Sequence, residues 1–322
     1  MRTSMLIDDW QVRQRIGLPL DSKIQWSRQA IRTWYERWGG QVYVAYSAGL
    51  DSTALLHLVR SAYPEVPAVF WNTGLEFPEL VSLAKDTENC ELRRPKMTFR
   101  EVLKKYGYPI VSKRVAQYVH EARTGGRGSN IWRLRTEGIK KDGSYSRMDM
   151  IPKKWQFLLD VPFAISDRCC YAMKKRPAAQ YEKETGRKAI VGVCVTESDR
   201  RWLTYRRFGC NAFATKHPRS WPLAIWTRAD VLEYVAAHSL PYASVYDMGY
   251  TRTGCIFCAF GAHMRKPNQF ELLAKTHPKL WIYCMKKCGI EEVLDTCGIA
   301  KGVVDSPAIQ TTYNFTKPME TP

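Results

Sequence analysis

The sequence predicts an α/β fold: a doubly wound, mostly parallel sheet flanked by helices, followed by a helical C-terminal region. Three observations predict it. Short apolar runs alternate with stretches of helical spacing along the chain, the pattern of βαβ units. The stretch VAYSAGLDSTALL (44–56) passes from an apolar run through a small polar loop directly into a helical pattern, the kind of junction at which open α/β sheets bind ligands. The chain is 45% hydrophobic and has no run of eighteen apolar residues, as expected of a globular protein without a membrane span.

The elements follow in order. Residues 22–38 carry apolar side chains at helical spacing, and Gly39-Gly40 ends that helix. Residues 42–46 read as a buried strand, 53–59 as a helix, 66–71 as a second strand, 78–85 as a second helix and 98–106 as a further short helix. From 121 to 154 the periodicity fails. Nine basic side chains stand there against four acidic ones, a net of +5. The stretch reads as a long surface insertion, either a solvated excursion or a phosphate-binding lid. Order returns with a helix over 171–185, stopped by Gly186, and a strand over 189–193. A last sheet strand is expected at 222–226, then a helix over 227–238 with Thr227 as its N-cap. Residues 268–287 read as helical, and the chain beyond about 301 as irregular. The organisation expected is an N-terminal helical segment (1–40), an α/β domain (41–265) carrying the insertion at about 121–154, and a helical C-terminal region with an irregular tail (266–322).

The net charge of +18 favours phosphate-bearing partners: nucleotides, nucleic acids or anionic surfaces. A basic surface without a polymer partner gives the same number. The N-terminal MRTSMLIDDWQVRQRIGL is interrupted by charges and lacks a secretory apolar core, so a cytoplasmic location is expected. Ten cysteines in that setting are not a disulfide framework.

At the polar junction, Gly49 lets the chain turn tightly and lets an anion approach. The first N–H groups of the helix carry the positive end of its dipole. Ser47 and Ser52 can donate hydroxyls to phosphate oxygens. Asp51, the candidate catalytic residue, suits Mg²⁺ better than phosphate. No GxxxxGK[ST] is present. Helix capping alone would also explain Asp51 and Ser52.

SAGLDSTALLHL resembles the SGGxDS loop of the PP-loop (adenine nucleotide alpha-hydrolase-like) superfamily, and within it the phosphoadenosine phosphosulfate (PAPS) reductase family. WNTGLEFPE (71–79) resembles that family's second element, GVCVTESDRR (192–201) its GxRxxESxxR element, and residues 222–261 its last motif-bearing stretch. Together they span about 40–290. The resemblance implies that Ser47, Gly49, Asp51 and Ser52 bind phosphates and that Asn72, Thr73 and Gly74 sit near the adenosine. It implies that Gly192 packs against the nucleotide and that Glu197, Ser198 and Arg201 line the site. Cys194 replaces the arginine usual in GxRxxES. Arg200, Arg201, Arg206 and Arg207 are candidates to supply the missing charge.

Eighty-four residues intervene between Cys169-Cys170 and Cys255-x-x-Cys258. Paired thiolates suit zinc or an iron–sulfur cluster. Directly adjacent cysteines fit tetrahedral zinc poorly but can bridge two irons of a cubane. The order CC, about eighty residues, CxxC also resembles the 4Fe–4S pattern of APS reductases and of related sulfurtransferases. Buried thiols without metal are the remaining alternative. Arg168, Lys174 and Lys175 flank the first pair, and Arg252 precedes the second.

The resemblance implies an enzyme of one of two kinds. In an ATP pyrophosphatase-type sulfurtransferase, the acceptor is adenylated and then receives sulfur. Nucleic acid is the acceptor class that the charge and the aromatic content suit, and a sulfur-donor protein is implied. The alternative is a PAPS or APS reductase releasing sulfite. Its C-terminal ECGLH-like motif is absent: Cys297 sits in DTCGI, and no cysteine follows it. A non-catalytic nucleotide-binding regulator is the third reading.

Overall fold

The computed structural model describes residues 6–304. The irregular tail expected beyond 301 falls almost wholly outside them. The chain forms two compact units. The first comprises the chain up to Lys96, Met173–Asp247 and Thr251–Thr253; the second comprises Met97–Ala172, Met248–Tyr250 and the chain from Gly254 onward. Among the described residues eight strands occur in chain order: β1 (Val42–Tyr46), β2 (Ala68–Trp71), β3 (Cys90–Arg93), β4 (Ile110–Val111), β5 (Lys188–Val191), β6 (Asn211–Ala212), β7 (Arg219–Ser220) and β8 (Ala259–Phe260).

The first unit holds a six-stranded sheet in the order β3-β2-β1-β5-β7-β6. Every pairing is parallel except β6 with β7, so the mostly parallel sheet expected from the sequence is present. The chain builds outward from β1 to β3, then returns to the other side of β1 to place β5. That reversal is a topological switch point, and it lies between β1 and β5. Val42, Tyr43 and Val44 are fully buried, which accounts for the near-continuous apolar run there.

Helix Leu50–Arg60 follows β1 and packs on it, as well as on helices Leu20–Arg37 and Arg228–Ala237. The helix Leu20–Arg37 presents Ser27, Ala30, Ile31 and Trp34 to the interior. It also buries Lys23, whose Nζ meets Asp230 Oδ2 at 2.6 Å. Thr227 caps helix Arg228–Ala237, its hydroxyl accepting the Asp230 N–H.

Two expectations fail here. Residues 222–226 form a turn, not a strand. The sheet ends instead on the two-residue strands β6 and β7, which are too short to leave a periodic signal. Trp226 is buried all the same, its indole N–H donating to Ser27 Oγ at 2.9 Å, so the apolar run reflects core packing. The second failure lies in the second unit, where the basic 121–154 stretch carries helices. Lys113–Gly125 runs into it, Asn130–Thr136 and the 3₁₀ turn Arg147–Asp149 lie within it, and a second 3₁₀ turn, Lys153–Leu159, starts at its end. Ser112 and Ser129 cap the two α-helices through hydroxyls that accept Val115 and Trp132 N–H. Abundant Gly and Arg masked these short segments.

The second unit's β4 pairs in parallel with β8. Just upstream, Tyr108 bridges to Ile165, with Tyr108 N–H donating to Ala164 O at 2.8 Å. Gly107 permits this approach: at φ +91° a Cβ there would stand 2.3 Å from the Ala164 carbonyl. The helical stretch expected over 268–287 is broken into Gln269–Thr276, Pro278–Ile282 and a wider turn Tyr283–Lys287, with Pro278 unable to continue the first helix.

Candidate functional site

Three loops leave the carboxyl ends of β1, β5 and β2 at one edge of the first unit's sheet, as the parallel registers Ala45↔Val191 and Tyr46↔Phe70 require. They carry Ser47–Ser52, Gly192–Ser198 and Asn72–Gly74 respectively, so the topology brings these expected residues to that edge, while Arg201 lies in the helix that follows the second loop.

In the first loop, Ser47 Oγ lies 3.1 Å from Ser52 Oγ, and the Ser47 N–H donates to Ser52 Oγ at 3.2 Å. The sharp turn is made by Ala48, at φ +56°, and not by Gly49, which is extended at φ −81°. Gly49 is needed for space. A Cβ there would meet Thr253 Oγ1 at 2.9 Å and the Tyr246 hydroxyl at 3.2 Å. These two hydroxyls lie 3.0 Å apart, and Tyr246 accepts the Leu50 N–H at 3.1 Å. Gly192 is likewise a point of close approach. A Cβ on it would stand 2.9 Å from Asp51 O and 3.2 Å from Ser52 Cα, so the two loops touch backbone to backbone.

Asp51 faces Arg228, with Oδ2 and NH1 3.8 Å apart. Burial raises its pKa above the usual carboxylate range, Arg228 opposes that, and Glu197 adds to it. Glu197 is held by Arg201 and Arg252 together, and it accepts the Cys194 N–H at 3.2 Å. Ser198 caps helix Asp199–Phe208, accepting the Arg201 N–H. Cys194 is buried, and its thiol pKa is raised by that burial and by the neighbouring Asp51 and Glu197. Of the arginines considered as its substitutes, Arg206 is taken up by Asp9 at 3.3 Å and by Ile7 O at 2.8 Å, whereas Arg201 reaches the site through Glu197. In the third loop Gly74 N–H donates to Asn72 Oδ1 at 3.1 Å, and Thr73 gives both its N–H and its hydroxyl to Glu76 at 2.8 Å. Lys174 approaches the same carboxylate at 3.7 Å.

The four paired cysteines all belong to the second unit. Cys169 and Cys170 lie just after the Ile165 bridge, and Cys255-x-x-Cys258 leads into β8, so strand segment 108–111 organises both arms. Cys258 N–H donates to Cys255 O at 3.1 Å. Burial pushes the Cys258 thiol up to about 12, helped by Cys255 and Cys170 nearby and opposed by the Phe260 N–H and by Lys113. No disulfide joins any of the ten cysteines. Among the described residues no three His, Cys, Asp or Glu side chains converge on a point that would hold one metal ion. That convergence is what mononuclear zinc demands. A cubane takes one thiolate per iron, so it asks only for four thiols around a larger body. The four thiols are donors that either zinc or a cubane takes.

The family model for the phosphoadenosine phosphosulfate reductase domain matches residues 41–125 and 140–260. The chain belongs to that family. An uncharacterized protein of Methanocaldococcus jannaschii is 27% identical over 78% of this chain, and the match spans 42% of that relative's length. An adenosine 5'-phosphosulfate reductase of Geobacillus thermodenitrificans is 24% identical, over 78% of this chain and 86% of its own. The crystal structure of a phosphoadenylyl-sulfate reductase from Candida auris matches at a TM-score of 0.41 and 16% identity, covering 78% of this chain and 97% of that one.

Sequence reasoning missed several residues at the site of this PAPS reductase-family protein. Arg228 and Tyr246 lie far from the loop in sequence, and Glu76 was read only as part of a motif. The sequence places Arg252 beside the CxxC arm, and no motif singles out Thr253. The first unit recruits them as Thr251–Thr253, and the chain passes into the second at Gly254. No local pattern marks such a crossing. Among the described residues no helix is long and apolar enough to cross a membrane.

Proposed function

We propose that this protein binds an adenine nucleotide at the carboxyl edge of β1 and β5 and performs ATP pyrophosphatase-type sulfur transfer. The observation that carries this reading is the loop itself. It places two hydroxyls 3.1 Å apart at the start of a helix and a half-buried carboxylate beside Arg228. The hydroxyls and the amides of the first helical turn suit a pyrophosphate group. Asp51 fits a Mg²⁺ ligand, because burial disfavours its charge and a cation would restore it. An acceptor oxygen would attack the α-phosphorus of ATP, and pyrophosphate would leave with the bond's electron pair. Sulfur would then displace AMP, which carries the acceptor oxygen away. Ser47 and Ser52 would donate to the departing pyrophosphate. Arg201 and Arg252, shared on Glu197, stand ready to bind its charge.

Cys169, Cys170, Cys255 and Cys258 would hold a 4Fe–4S cluster, which when bound supplies a centre able to carry sulfur or electrons. The other six cysteines argue against a nucleophilic reductase thiol. Burial raises the pKa of every one of them, to about 11 for Cys90, Cys210 and Cys297 and about 12 for Cys288, whereas a reactive thiolate needs a lowered value. The reductase reading draws its support from the Geobacillus relative. Nucleic acid as acceptor rests on the +18 charge, and a sulfur-donor protein follows from the need to replenish sulfur. Ten thiols without a disulfide suit a reducing cytoplasm.

Anaerobically purified protein offered ATP, APS and PAPS in turn tests the proposal. Pyrophosphate release from ATP, reduced at least about tenfold in Ser47→Ala and Asp51→Ala, is expected. Sulfite release from APS with thioredoxin and no pyrophosphate from ATP would overturn it.

A further inference from the structure

We propose that the surface formed by residues 139–157 in the second unit docks a single-stranded nucleic acid. It starts as a miniature hairpin closed by the Ile139–Tyr145 bridge, with Lys140 N–H donating to Ser144 O at 2.8 Å. Asp142 accepts both the N–H and the hydroxyl of Ser144, at 3.0 and 2.7 Å, so its carboxylate is used inside the turn. The chain then packs down through Tyr118 OH to Met148 O at 3.4 Å and Gln156 Nε2 to Thr136 O at 2.9 Å. Ile151, Trp155 and Leu158 face inward and are buried.

Cations and bare rings face outward. Lys140, Lys141, Arg147, Lys153 and Lys154 are all exposed, and among the described residues none forms an ion pair, although Asp142 feels the charge of Lys140. The neighbouring arginines differ: Arg127 pairs with Asp160 at 2.5 Å, Arg135 with Glu121 at 2.6 Å and Arg133 with Glu137 at 3.8 Å. The local acids are thus consumed by one set of cations, and the outward set is left for an external anion. In the same stretch of chain Tyr145 is 65% and Phe157 42% exposed. Exposed rings among unpaired cations match a polymer that alternates phosphates with flat bases. The match is to a single strand, since a duplex hides its base faces in the stack.

This deepens the proposed sulfur-transfer reading by naming where a nucleic-acid acceptor docks. The full chain is titrated into labelled oligo(U), oligo(dT) and a duplex of equal length, with anisotropy read between about 50 and 200 mM salt. Either single strand should bind more tightly than the duplex. Five phosphate contacts would give a log–log salt slope of up to about 3.5 in magnitude, and Lys140→Ala with Lys141→Ala should reduce it by about 1.4. Tyr145→Ala should weaken binding about tenfold and leave the slope unchanged. ATP turnover should survive both variants, which separates this surface from the nucleotide site. Preference for the duplex, no binding at about 50 mM salt, or binding that both variants leave intact would overturn the proposal. So would equal binding to anionic vesicles with Tyr145→Ala silent.

Discussion

In the first unit, the candidate nucleotide loop hangs from β1, a strand buried almost throughout and paired on both sides, by β2 and β5. In the second unit, the paired cysteines hang from β4 and β8, two residues each, and one isolated bridge. Both regions hold a non-glycine residue in the left-handed conformation beside their chemistry: Ala48 at φ +56° and Val111 at φ +62°. Such residues persist only where the surroundings over-determine them. In the first unit that restraint comes from a full sheet and three helices. In the second it comes from a few hydrogen bonds and the Gly107 approach. The difference teaches that the candidate nucleotide loop is held by the fold itself, whereas the cysteine arms are arranged by a much smaller framework that a bound group would reinforce.

The comparison can be broken most decisively at the cysteines. Cys258→Ser should take iron in anaerobically purified protein from about four atoms per chain to near zero, with ATP affinity by calorimetry unchanged. A matching loss of ATP affinity would show that the first unit does not hold its site alone. Next in size is the buried Lys23–Asp230 pair. Lys23→Ala should cost about 3–5 kcal/mol in denaturant unfolding by leaving Asp230 buried and unpaired. Burial alone would raise the pKa of Asp230, but Lys23 and Thr227 hold it below the usual range. Its contribution is therefore full above the ordinary carboxylate pKa and is lost as pH falls through the lowered one, so acid should narrow the gap between wild type and Lys23→Ala.

Smaller effects sharpen the comparison. Gly192→Ala would press a Cβ against the Asp51 carbonyl and should raise the nucleotide dissociation constant about tenfold, roughly 1.4 kcal/mol. Because the Asp51 pKa is raised, binding of Mg²⁺ with nucleotide should strengthen as pH rises through that value and level off above it. Asp51→Asn should abolish the dependence in calorimetry run across acidic pH. Ala48→Gly should stabilise the protein by about 1 kcal/mol, because glycine adopts the left-handed turn without strain. A rise of about 2 °C in thermal midpoint would show it.

Helix Leu50–Arg60, strand β1 and the Thr227 cap were legible in the sequence because each rests on local rules: spacing, caps and the junction of a buried strand with a helix. The 222–226 run misled because a buried turn and a buried strand share one apolar composition. The helices within 121–154 escaped because short, serine-capped segments leave little periodicity. Gly49 was expected to make the turn; Ala48 makes it instead, and Gly49 leaves room for Thr253 and Tyr246.

Local sequence alone determined the parallel α/β class and the junction of β1 with the helix that follows it, because nearest-neighbour sterics and hydrophobic period dictate them. The tertiary structure decided that Arg228, Tyr246, Arg252 and Thr253 surround that loop, and that a stretch of second-unit chain separates Tyr246 from Thr253. Side chains hundreds of positions apart meet only when strand order and helix packing are set, and no local pattern records that order.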